Sequence, residues 1–177
     1  NDTAQAEARE VMDVFAPLAN RLGLWRLKWE PEDLSLRLLE PTEYHRIARY
    51  LDETRIEREA YIDTTKATLR DALSKAHIPG EITGRSKHIY SIYDKLKRKR
   101  CTIEELYDIR AIRVIVPELK DCYSTLGIVH SMFQPIPGEF DDYIAKPKAN
   151  NYRSLHTSVI GPQNRAVEVQ IRTQDMH

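Results

Sequence analysis

Cysteine is scarce in this chain. Only Cys101 and Cys122 occur in 177 residues, and they do not form a metal-type CxxC pair. A reducing, cytoplasmic setting is therefore expected, and neither thiol suggests chemistry. Long apolar runs are missing too: nothing approaches the ~20 apolar residues of a membrane span, so no membrane is expected among the partners. No signal-peptide pattern opens the chain. The GxxxxGK[ST] loop is absent, which excludes a P-loop enzyme. There is no internal repeat, no low-complexity segment and no histidine pair at metal-ligand spacing. An excess charge of one sign is also lacking, with 27 Lys and Arg against 27 Asp and Glu.

That balance hides an asymmetry. Residues 1–78 carry 15 acids and 12 bases, and residues 79–177 carry 12 acids and 15 bases. The later excess is local: Arg85, Lys87, Lys95, Lys97, Arg98, Lys99 and Arg100 face Asp94 alone. A local anion site fits this better than direct nucleic-acid binding does. At 20.6 kDa the chain is long enough to bury a core.

From Thr3 to about His77 the pattern is helical, with amphipathic series Tyr44, Ile47, Ala48, Leu51 and Ile56, Ala60, Ile62, Leu69, Leu73. Pro31 and Pro41 punctuate this region, and the Ile78-Pro79-Gly80 turn closes it. Beyond Gly80 the period changes. Glu81 to Thr83 reads as extended; a helix follows with Ile89, Ile92, Tyr93 and Leu96 on its buried face. Ile109 to Val116 reads as a central strand, Leu119 to Met132 as a helix, and Leu155 to Ile160 and Val167 to Arg172 as strands. The order strand, helix, strand, helix, strand, strand, helix predicts an α+β fold, a mixed sheet flanked by helices after an N-terminal helical region. The expected division is 1–78 and 79–177.

Three groups of residues carry chemistry. Lys87, Ser91, Lys95 and Arg98 recur at helical spacing, and Gly84 stands before that helix, whose N-terminus would favour an anion such as a triphosphate. The same run also reads as a solvated basic face. In Val167 to Arg172, strict alternation sends Glu168, Gln170 and Arg172 to one side. With Asp108 at the start of a neighbouring strand, Asp108 and Glu168 could hold Mg2+ together with phosphate oxygens. A half-exposed strand with a salt bridge to Arg110 or Arg172 is the other reading. Tyr152, after the turn pair Asn150-Asn151 and flanked by Lys148, Arg153 and His156, suits a base-stacking platform, or else a core tyrosine.

In order and spacing, GRSKHIYSIYDKLKRK, YDIRAIRVIV, DDYIAKPKANNYRSLHT and VEVQIRTQDMH resemble the synthetase domain of the RelA/SpoT homologues, the bacterial (p)ppGpp synthetases. FAPLANRLGLWRLKWEPEDLSLRLLEP resembles the end of that family's hydrolase domain and its connection to the synthetase. The resemblance implies a fold similar to polymerase β-like nucleotidyltransferases and transfer of the β,γ-pyrophosphate of ATP to the 3′-hydroxyl of GDP or GTP, with Mg2+ as cofactor. By motif position it implies ATP contacts from Arg85, Lys87, Ser91, Lys95 and Arg113, and guanine-nucleotide contacts from Tyr152, Lys148, Asn150, His156 and Gln170. Asp108 and Glu168 would be the metal and catalytic acids. Arg113 differs in strand parity from Asp108, so the two share a site only through a bulge or a strand-edge position.

Departures from the family pattern are Asn151 for a usual Gly, Arg153 for Gln and Pro31 for Leu. Asn151 is tolerable because Asn accepts left-handed backbone. Glu139-Phe140-Asp141-Asp142 matches the ExDD variant of RelA-like, synthesis-only enzymes, which favours GDP as acceptor and Mg2+ as metal. The resemblance further implies an excised piece of a ribosome-associated parent protein. A catalytically silent nucleotide-sensing module is the alternative from another class.

Overall fold

A computed structural model describes residues 4–6, 25–106 and 109–177, the side chains of 25–31 excepted. Its main elements are α1 (Trp25–Leu39), α2 (Pro41–Glu53), α3 (Arg55–Lys75), β1 (Glu81–Gly84), α4 (Ile89–Lys99), β2 (Ala111–Val116), α5 (Leu119–Met132), β3 (Gln134–Asp142), β4 (Leu155–Ile160) and β5 (Ala166–Thr173). They fall into two compact units. One holds residues 1–55, 87–106 and 149–151, and the other holds 56–86, 107–148 and 152–177.

In the first unit α1, α2 and α4 pack on one another. Pro41 opens α2 at its first turn, where a missing N–H costs nothing. Pro31 behaves differently from expectation: α1 runs through it from Trp25 to Leu39. Ile92 and Leu96 are the buried residues of α4, one turn apart as the 3.6-residue period demands.

The second unit is built on a five-stranded sheet in the order β1-β2-β5-β4-β3. β2 and β5 run parallel and every other neighbouring pair is antiparallel, so the sheet is mixed and the fold is α+β. Ile112, Val114 and Val116 from β2, Val167, Val169 and Ile171 from β5, and Leu155 and Val159 from β4 form one apolar core. Ile82 of β1, Tyr61, Leu69 and Leu73 of α3 and Cys122 and Val129 of α5 complete it. Each fully buried aliphatic side chain of this kind stabilises by about 1.5–3 kcal/mol.

Three further sequence expectations need correction. The buried stripe of α3 is Tyr61, Thr65, Leu69 and Leu73, whereas Ile56 is 77% exposed. Polar atoms are satisfied within that stripe, which an apolar pattern therefore misses: Tyr61 Oη donates to the Arg165 carbonyl at 3.0 Å and Thr65 Oγ1 to the Tyr61 carbonyl at 2.9 Å. β3, with sequence QPIPGEFDD, was not expected as a strand. It lies at the sheet edge, and its register shifts between Pro135 and Phe140, with Gly138 at φ 78°. An edge position and a bulge are what let proline and glycine stay in a strand. The last expected helix is a single 3-10 turn, Gln174–Met176.

Gly161 precedes β5 where no larger residue fits: a Cβ there would lie 2.7 Å from Tyr61 Oη and 3.0 Å from Val167 Cγ1. Gly161→Ala should therefore destabilise the second unit by about 1–3 kcal/mol through overpacking. A thermal melt that matches the parent's would contradict this.

Candidate functional site

Because β5 alternates, it places Val167, Val169 and Ile171 in the core and turns Glu168, Gln170 and Arg172 to the opposite face, as expected. All three polar residues are nonetheless buried, at 6%, 1% and 5% exposure. Their neighbours follow from register. Ala111 of β2 pairs with Glu168 and Arg113 with Gln170, while His156 of β4 pairs with Gln170 and Asp141 of β3 with His156. Thr83, Arg113, Gln170, His156 and Asp141 thus form one row across five strands.

Gln170 is the hub of this face. Its Nε2 donates to Glu168 Oε1 at 2.6 Å, and its Oε1 accepts from Arg85 Nη1 and, at 3.3 Å, from Arg172 Nη2. Arg85 reaches it because its backbone N–H, one residue past β1, bonds to the Ala111 carbonyl at 2.9 Å. Arg113, Arg172 and Arg85 are close enough to oppose one another's charge. Burial first, then the charges of Arg172 and Arg85, pull the Arg113 guanidinium down to about 10. Burial likewise lowers Arg172, and Arg85 adds to the effect. The Nε atoms of Arg113 and Arg172 are buried with no hydrogen-bond partner among the described residues.

Tyr152 is half-buried rather than displayed. Its hydroxyl lies 2.7 Å from His156 Nε2, and both Lys148 Nζ and Arg172 Cζ stand 5.3 Å from its ring centroid. Lys148 Nζ is also 4.6 Å from the centre of Tyr143, whose ring meets His156 edge-on at 5.2 Å. Burial and then Asp141 raise the Tyr143 hydroxyl above its ordinary range, so it stays protonated and able to donate. Asn151 takes the left-handed conformation expected of it, at φ 63°. Asp142 serves the local turn: it accepts from the backbone N–H groups of Ile144 and Ala145 at 3.0 and 2.8 Å and from Tyr123 Oη at 2.9 Å.

Not every expected residue joins this face. Asp108 lies outside the described residues. β2 begins only at Ala111, after a bend at 109–110, so strand parity does not carry from Arg113 back to Asp108. The Glu168 backbone N–H bonds to the Arg110 carbonyl at 2.9 Å, two residues from Asp108 in sequence. Glu168 is a hard oxygen donor, and no cluster of three metal-ligating side chains occurs among the described residues. Such a sparse set fits a cation held by one or two carboxylates together with substrate phosphates.

Lys87, Ser91, Lys95 and Asn150 belong to the first unit. The helix starts at Ile89 with His88 as its N-cap, so Lys87 precedes it and does not share its face with Ser91 and Lys95. Gly84 is not at the helix start either. It ends β1 opposite Ile112, where a Cβ would meet Ile62 Cγ2 at 3.0 Å. The N-terminus of α4 already has its anion: Asp33 of α1 accepts from the Tyr90 backbone N–H at 2.8 Å. Burial raises the Asp33 carboxyl above its usual range, and the bonds from Tyr90 and Ile89 offset part of that. Arg98, the fourth residue of that series, pairs with Asp94 at 2.9 Å.

The family model described as a region found in RelA / SpoT proteins matches residues 84–177, more than half of the chain. The chain belongs to the RelA/SpoT family. A GTP pyrophosphokinase of Photobacterium angustum is 48% identical over 177 residues, all of this chain but 24% of that protein. This RelA/SpoT chain thus spans about a quarter of the length of the curated relatives it matches. The crystal structure of small alarmone synthetase 1 from Bacillus subtilis superposes with a TM-score of 0.57 at 26% identity, covering 73% of this chain and 72% of that one. The same enzyme bound to its product pppGpp gives 0.54 at 27% identity, covering 75% of each chain.

Two residues of this face were not expected as site members, Arg172 and Tyr143. The alternation of VEVQIR already placed Arg172 beside Gln170; Tyr143, directly after Asp142, carries no such periodic signal.

Removing the α4 cap with Asp33→Ala should cost about 1 kcal/mol, and Asp33→Asn much less, because its amide oxygen still accepts. Equal melting losses for the two variants would show that charge, not the hydrogen bond, matters there.

Proposed function

We propose that this chain is the synthetase part of a GTP pyrophosphokinase, moving the β,γ-pyrophosphate of ATP to the 3′-hydroxyl of GDP or GTP and releasing AMP. The observation that carries the reading is the buried Glu168 carboxylate on a sheet face with the guanidiniums of Arg85 and Arg113, the latter with an Nε that has no hydrogen-bond partner among the described residues. Cations that repel one another in a low-dielectric setting gain most from a polyphosphate, whose charge also grows as the transferred group departs. The names of the relatives, and the product pppGpp held by a chain of the same fold, support the same reading.

In this proposal Arg85 and Arg113 take the donor ATP from the sheet, and Lys87, Ser91 and Lys95 are assigned to it by motif position. Tyr152 stacks on the guanine, with Lys148, Asn150, His156 and Gln170 as polar contacts. The 3′-hydroxyl oxygen forms the new bond to the β-phosphorus of ATP as the bond from that phosphorus to the bridging α,β oxygen breaks, and AMP leaves with that oxygen. Glu168 takes the hydroxyl proton, its Oε1 held in place by Gln170. Asp108 and Glu168 would hold Mg2+, which when bound offsets negative charge on the transferred group. Holding both nucleotides in line supplies the proximity that a free collision lacks. From the Glu139 to Asp142 segment, GDP is the favoured acceptor. Resemblance also suggests a cytoplasmic parent protein that works at the ribosome; among the described residues no helix is long and apolar enough to cross a membrane.

The test incubates the chain with labelled ATP, GDP and Mg2+ and follows ppGpp and AMP. Glu168→Gln should lower the transfer rate by about 10²–10⁴-fold while nucleotide binding survives. Transfer at the parent rate in that variant would remove Glu168 from the chemistry; nucleotide binding without transfer in the parent would favour a silent sensing module.

A further inference from the structure

Arg172 has no role in the reaction described above, yet it is a guanidinium only 5% exposed. Such a group is costly to bury unless its surroundings use it. Among the described residues its guanidinium meets a ring and two neutral oxygens. The Cζ atom stands 5.3 Å from the Tyr152 centroid, and Nη2 donates to Tyr152 Oη at 3.4 Å and to Gln170 Oε1 at 3.3 Å. A like charge, Arg85, lies near enough to oppose it.

Neither oxygen depends on Arg172 for satisfaction. Tyr152 Oη keeps His156 Nε2 at 2.7 Å, and Gln170 Oε1 keeps Arg85 Nη1. An apolar side chain of similar length would therefore leave no buried acceptor orphaned, and it would spare the protein a buried charge. What it would lose is a guanidinium that stands against the Tyr152 ring and whose Nη2 bonds both to the Tyr152 hydroxyl and to the amide that bonds to Glu168 Oε1 at 2.6 Å.

We propose that Arg172 is the positioning residue of the acceptor side: it holds the Tyr152 ring for the guanine and ties that ring, through the Gln170 carbonyl, to the orientation of the Glu168 carboxylate. The assignment rests on the acceptor reading of Tyr152 given above. Arg172 acts through Tyr152 and Gln170, so its loss touches guanine-nucleotide binding and leaves the donor's affinity in place.

Two measurements on the same samples separate this proposal from the reading it rests on. The first needs no nucleotide. In ring-labelled tyrosine NMR, with Tyr152 identified by its loss in Tyr152→Phe, Arg172→Met should move the Tyr152 resonances and leave those of the remote Tyr61 in place. The second is calorimetric titration with GDP and, separately, with a non-hydrolysable ATP analogue. The dissociation constant for GDP should rise about tenfold, in keeping with a desolvated cation–π contact, and that for the analogue should change less than about twofold. The melting temperature should hold or rise, the opposite of what a purely structural arginine would give.

Arg172→Lys keeps a cation but not the planar guanidinium that meets the ring, and should also weaken GDP; it serves as the second variant if the methionine form does not fold. Unmoved Tyr152 resonances, unchanged GDP affinity in both variants, or equal weakening of GDP and the ATP analogue would each overturn the proposal. A parent chain that binds no GDP, with Tyr152 still shifted in Arg172→Met, would uphold the anchoring and overturn the acceptor reading instead.

Discussion

The parallel pairing of β2 with β5 is the constraint on which the site depends. Its register sets Ala111 opposite Glu168 and Arg113 opposite Gln170. Because strand side chains alternate with period two, a slip by one residue would send Glu168, Gln170 and Arg172 into the core and turn Val169 and Ile171 outward. The apolar half of the alternation therefore holds the polar half in place. Ile112, Val114, Val169 and Ile171, all at most 1% exposed, specify the register that brings the polar groups together.

The polar face is preorganised at a cost to stability. Three guanidiniums on or next to neighbouring strands oppose one another, two Nε groups have no partner among the described residues, and a carboxylate and an amide are buried with them. A face built only for stability would avoid these groups, since burying each polar atom without a partner costs on the order of 1–3 kcal/mol. A ligand that brings phosphates and a flat base would relieve them, so the strain and the proposed function share one physical origin.

Much of the fold was legible in local pattern. Leu119–Met132 and Leu155–Ile160 have the ends read from their sequence, and β5 extends one residue beyond each end of Val167 to Arg172. These elements announce themselves through apolar period. Elements whose burial is shared with polar atoms do not: α3 buries Tyr61 and Thr65 in its stripe, and β3 survives two prolines and a glycine because it is an edge with a shifted register. For the site, the alternation of Val167 to Arg172 was readable, and so were the left-handed Asn151 and the turn around it. That Asp33 caps the helix once expected to bind phosphate was not, because a cap across 57 residues of sequence leaves no local signature.

By itself, then, the sequence determined the period of each element, the face on which Glu168, Gln170 and Arg172 stand, and, through its ordered motifs, the family. Only the tertiary structure decided which strands are neighbours, that Arg85 and Arg172 share the carbonyl of Gln170, and that Tyr152 lies against two cations. The reason is one of range. Alternation and helical period are set by steric rules acting over a few residues, whereas register and side-chain convergence are set by packing between segments far apart in the chain.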